Sequence, residues 1–101
     1  MAKRFDWNEE KNQRLIEERG ISFEAIVSYI EGGDILAIAE GKGQYSHQKQ
    51  FVVAVNNYVY VVPFVEDKEY IFLKTIIPSR KLTKQFLFES KGDKDEETLN
   101  G

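Results

Sequence analysis

A chain of 101 residues with 42% hydrophobic and 13% aromatic side chains is sized for one domain around one modest core, and its 31% charged residues place it with soluble folded proteins. No apolar run approaches the roughly 20 residues that cross a bilayer, no apolar stretch follows Lys3 and Arg4 to make a secretory signal, and zero cysteines exclude a disulfide framework or a thiolate metal site. The net charge of −3 lies in the last thirteen residues, where five acids meet two lysines, so the body of the chain is neutral; one histidine argues against a multi-histidine metal centre, no cofactor is expected, and a cytoplasmic location is inferred.

Phe5 and Trp7, at alternate positions, predict a short extended arm with one face on the body. Asn8 is placed to cap a helix whose first turn carries Glu9 and Glu10, and which runs to Arg19 before Gly20 stops it. Ser22 caps a second helix with Phe23, Ile26, Val27 and Ile30 on one face, ended by Gly32-Gly33. Up to residue 40 the chain holds nine acids against five basic residues, and from 41 to 88 the balance reverses to three against seven. That polarity permits one positive face on a neutral body.

Beyond the glycines the pattern is that of strands. Residues 34–40 form a first apolar run, residues 41–50 a loop rich in glycine and polar residues, and 51–55 a second run. Asn56-Asn57 predicts a tight hairpin into a strand over 58–65, because asparagine tolerates the positive φ such turns need. Pro63 has no amide to donate, so that strand is expected to be bulged or unpaired there. Residues 66–69 make a polar turn, 70–77 a last strand, and 80–88 a helix in which Leu82, Phe86 and Phe88 face inward. Residues 89–101 hold one large apolar residue, Leu99, and read as a flexible acidic tail on a single domain of residues 1–88. The expected fold is therefore α+β: two N-terminal helices, a four-stranded antiparallel meander and a C-terminal helix.

Function turns on particular side chains. The chain has no Gly-rich phosphate loop, no His-Glu-x-x-His helix, no Gly-x-Ser-x-Gly elbow and no cysteine nucleophile. From Lys74 to Lys84 it carries four cations and no acid, which taken alone also describes a core strand running into a solvated turn. Tyr45, His47, Lys49, Arg80 and Lys81 remain. These are the side-chain types that a metal-free RNA-cleaving site uses: a base for the 2′-hydroxyl, a cation for the phosphorane, an acid for the leaving oxygen.

Phe5-x-Trp7, Lys11, Gly20-Ile21-Ser22-Phe23-x-Ala25, a histidine ahead of a strand, and Ile76-Ile77-Pro78-Ser79-Arg80-Lys81-Leu82-Thr83 together resemble the BrnT toxins of bacterial type II toxin–antitoxin pairs over about residues 5–84. The resemblance implies a RelE-like fold, ribonuclease activity on messenger RNA that inhibits translation, and a cognate DNA-binding antitoxin as partner. The chain departs from the family at Asn8, Leu15 and Arg19, where aspartate, asparagine and histidine are usual, and again over residues 85–88. Arg80 matches the family's final-strand arginine, His47 its loop histidine, and Lys49 lies near a usual arginine.

On this reading Arg80 holds the scissile phosphate through two of its oxygens, and His47 is the acid or base, because the unperturbed pKa of histidine lies near neutrality. Lys49, Lys81 and Tyr45 contact the RNA backbone or stack on its bases, while Lys74 and Lys84 read as solvated charges. Exposed strand or helix edges offer a route to self-association. The competing reading is a non-catalytic RNA- or protein-binding module of the same fold.

Overall fold

The computed structural model describes residues 3–41 and 48–89. The N-terminal arm is strand β1 (Arg4–Asp6), and just beyond it Trp7 stacks on Phe23 with ring centres 5.6 Å apart. Asn8 caps α1 (Glu9–Arg19) by accepting from the Lys11 amide at 2.9 Å, and Gly20, left-handed at φ 69°, ends the helix by donating to the Ile16 carbonyl. Ser22 caps α2 (Phe23–Glu31) through the Ala25 amide.

The inward side of α1 consists of Leu15 and a buried asparagine, Asn12. Asn12 Oδ1 accepts from the Phe23 amide at 2.8 Å and Nδ2 donates to Glu24 Oε1 at 2.8 Å, so one side chain satisfies the start of α2 and locks the two helices together. Phe23 and Ile26 then carry α2 into the core.

Strands β2 (Ile35–Glu40), β3 (Lys49–Val55), β4 (Tyr58–Glu66) and β5 (Tyr70–Leu73) are successive antiparallel neighbours. Asn56 and Asn57, at φ 53° and 66°, form the tight β3–β4 turn. The sheet is nevertheless not the expected four-stranded antiparallel meander. β1 lies parallel along β5, with Phe5 opposite Ile71, and the two-residue β6 (Ile77–Pro78) pairs with β4, giving a mixed sheet of order β1-β5-β4-β3-β2. The alternate apolar residues of the arm need a buried face, and the edge of β5 supplies one.

The expected single strand over 70–77 is divided because of Pro63. Its carbonyl accepts from the Lys74 amide at 2.8 Å, but it has no N–H to return. Pairing of β4 with Leu73 at Phe64 resumes with Ile77 at Val61, so residues 74–76 face only Val62 and Pro63, a one-residue bulge.

Helices α1 and α2 cover one face of the sheet, where Phe51, Val53, Val62, Phe64, Leu73 and Ile76 are buried with Phe23 and Ile26; Phe51 and Phe64 stack at 4.1 Å. α3 (Arg80–Thr83) is a single turn that widens into a π-helical segment, Lys84–Glu89, against β4. In this winding Thr83 is buried, Leu82 and Phe86 are half-buried, and Phe88 is 57% exposed rather than inward. Residues 90–101, which hold nearly all of the predicted tail, lie outside the described residues. Among the described residues no helix is long and apolar enough to cross a membrane.

Candidate nucleic-acid interface

Arg80 is the first residue of α3, and the sequence around it fixes that turn to the sheet. Ser79 donates its amide to the Val59 carbonyl at 2.9 Å, and its hydroxyl caps the turn through the Leu82 amide at 3.1 Å. Thr83 Oγ1 accepts from the Val59 amide at 2.8 Å and donates to the Ser79 carbonyl at 2.7 Å. A serine four residues before a threonine thus binds both polar groups of Val59 and leaves Arg80 and Lys81, between them, exposed on a braced base.

Upstream, the bulge opens a cleft of about 330 Å³ lined by Gln48, Gln50, Pro63, Lys74, Thr75 and Ile77. Gln48 and Gln50 alternate with Lys49 along the chain, so both amides lie on one side of the strand while Lys49 projects from the other. The Lys74 amine lies 5.7 Å from the centre of the Phe72 ring. Among the described residues no carboxylate lines this cleft and none pairs with Lys74, Arg80 or Lys81.

Lys49 has a different environment. Its amine is 3.7 Å from Glu66, which also takes Lys3 at 2.6 Å. The Lys3 hydrogen bond, reinforced by the charges of Lys3 and Lys49, holds Glu66 below the ordinary glutamate range against the opposing effect of desolvation. Arg80 and Lys81 are thus consecutive exposed residues of the α3 turn, and Lys49 lies on the opposite side of β3 from the two glutamines. Tyr45 and His47 lie outside the described residues.

Sequence reasoning missed Gln48, Gln50 and Thr75, and took Lys74 for a solvated charge. The signal for the glutamines was their spacing of two on a strand. The signal for Lys74 was only its place beside the bulge, which needs the pairing partner of Pro63 to be known.

Chemically, the cleft and the α3 turn form a run of cations, amides and a hydroxyl suited to phosphate oxygens and base edges. Among the described residues no three histidine, aspartate or glutamate side chains meet as a metal site. Comparison of the chain with protein-family models, with curated proteins and with solved structures finds no match.

Proposed function

We propose that this chain is the toxin component of a bacterial type II toxin–antitoxin pair, a BrnT-like protein of RelE-like fold that cleaves messenger RNA in the cytoplasm without a metal and so inhibits translation. One observation carries the reading: the strand end that follows the segment holding Tyr45 and His47 meets the stretch that leads into Arg80, at a cleft lined by Lys74 and, among the described residues, by no acid. The motif order over residues 5–84 supplies the family.

In the proposed reaction a base takes the proton of a ribose 2′-hydroxyl, the 2′-oxygen bonds to the adjacent phosphorus, and the bond from phosphorus to the 5′-oxygen breaks. The products are a 2′,3′-cyclic phosphate and a 5′-hydroxyl that receives its proton from an acid. His47 is the candidate for one of the proton transfers, and Arg80 for stabilising the charge that builds on the phosphorane oxygens. Lys74, Gln48 and Gln50 hold the flanking strand, and Lys81 and Tyr45 add contacts. A DNA-binding antitoxin is the partner this reading requires.

Induction in a bacterial host tests it. Growth arrest with loss of transcripts, relieved by Arg80→Ala at equal protein level, supports the reading, and full toxicity of Arg80→Ala removes Arg80 from the mechanism. Binding of RNA by the purified protein without cleavage favours the non-catalytic module instead.

A further inference from the structure

A second cleft, larger than the Lys74 cleft, lies elsewhere. It encloses about 440 Å³ on the helix side of the sheet, and its polar lining is Arg19, Ser22, Asn56, Tyr29 and Tyr60, with Gly20 at its rim. The acid-rich first 40 residues supply much of its wall, yet among the described residues no carboxylate lines it. Glu17 and Glu18 precede Arg19 in α1, two and one steps of the helix away, and are exposed.

Three features make this a shaped site. First, the Arg19 guanidinium is anchored on one side by the Ile76 carbonyl, and no described carboxylate neutralises it; five donors in a planar fork leave others for a ligand. Second, Tyr29 and Tyr60 are half-buried against the core, and Tyr60 is braced by Tyr58 at 5.7 Å between ring centres. Both phenol hydroxyls have no hydrogen-bond partner among the described residues. Third, Asn56, at φ 53° in the tight β3–β4 turn, adds a side-chain amide to the lining.

A cation for an anion, two aromatic side chains, and an amide able to read a donor–acceptor edge are the groups that bind one nucleotide of a single strand. The volume lies in the range of small-ligand pockets and well exceeds the needs of a bare phosphate. The position agrees with this. Tyr60 pairs across the sheet with Pro78, two residues before Arg80, while Ile77 beside it lines the Lys74 cleft, so the two clefts flank β6 from opposite faces.

We propose that the Arg19 cleft is a nucleotide-binding subsite, in which Arg19 takes the phosphate, Tyr29 and Tyr60 the base by stacking, and Asn56 its polar edge; the choice of ligand rests on the RNA reading above. A single strand crossing the edge at β6 would then be held on both sides of Arg80.

The test uses uridine 5′-monophosphate, uridine and inorganic phosphate as probes in separate titrations of isotope-labelled full chain, followed by amide NMR. Saturable shifts at Gly20, Asn56 and Tyr60 with the monophosphate are expected, and at least about tenfold weaker binding of uridine or phosphate, the scale of losing one charged or stacking contact. Arg19→Gln and Asn56→Gly should each weaken the monophosphate by about tenfold; the second preserves the turn, because glycine accepts its positive φ. Absence of saturable shifts at these residues, or equal binding of all three probes, overturns the proposal. So does unchanged affinity in both variants. A chain that cleaves RNA but fails this titration loses the subsite alone, and one that passes it without cleaving RNA keeps the subsite and loses the ribonuclease.

Discussion

Arg19 donates a guanidinium hydrogen bond to the carbonyl of Ile76, 57 positions away, in the segment where the bulge opposite Pro63 shifts the pairing of β4 by one residue. A proline in one strand thus displaces a carbonyl in the next, and the last residue of α1 satisfies it. Replacing Arg19 by methionine, which keeps the aliphatic stem, should lower unfolding stability by about 1–3 kcal/mol, the cost of leaving a part-buried carbonyl without its charged donor. Urea denaturation measures it. A change below about 0.5 kcal/mol, the scatter of ordinary surface substitutions, would show that Ile76 finds another donor.

Thr83 gives a more local test of the same sheet end. Thr83→Val removes the hydroxyl shared by the Val59 amide and the Ser79 carbonyl while keeping the branched shape, and should cost about 1–3 kcal/mol. Hydrogen exchange should report it first at the Val59 amide. If that amide stays protected, the threonine does not hold α3 to the sheet.

Asn12 should be less replaceable than any hydrophobic neighbour of its size. Asn12→Leu leaves the buried Phe23 amide without an acceptor and releases Glu24, with an expected loss of about 1–3 kcal/mol, despite the apolar surroundings. A neutral or stabilising result in thermal unfolding would mean that α2 shifts to satisfy itself.

These contacts mark what was and was not legible in the sequence. Helix limits were, because Asn8, Ser22 and Gly20 act within one turn of themselves, and so was the Asn56-Asn57 hairpin. Pro63 announced an irregularity in its own strand but not which carbonyl would be displaced in the next. The parallel pairing of β1 with β5 joins residues at opposite ends of the domain, and no local pattern encodes it. Arg19 was legible only as the last residue of its helix, and the pairing of Tyr60 with Pro78 sets its cleft beside the Arg80 turn. Arg80 itself was legible through motif order, whereas Gln48, Gln50 and Lys74 became a group only once the strands were registered.

The acid limb of stability should carry the signature of Glu66. Because its hydrogen bond from Lys3 lowers its pKa in the folded state, the contribution is present above the unfolded value, about 4.3, and is lost as pH falls through the lower folded value. Glu66→Gln should flatten the stability profile in that acid window. An unaltered slope between wild type and variant below pH of about 4 would assign the acid sensitivity elsewhere, with Asp67, lowered by the Tyr70 and Glu69 amides, the next carboxylate to test.

The central claim is that the Arg80 turn belongs to an RNA-cleaving site, and the most direct measurement is the cleavage of a defined messenger RNA by the purified chain in the presence of EDTA, with the product ends mapped. The account predicts fragments ending in 2′,3′-cyclic phosphate and 5′-hydroxyl groups, with the rate falling about 100-fold or more in a folded Arg80→Ala variant, as when one transition-state charge contact is removed. Intact RNA after prolonged incubation with binding-competent protein, or equal cleavage by wild type and Arg80→Ala, would contradict it.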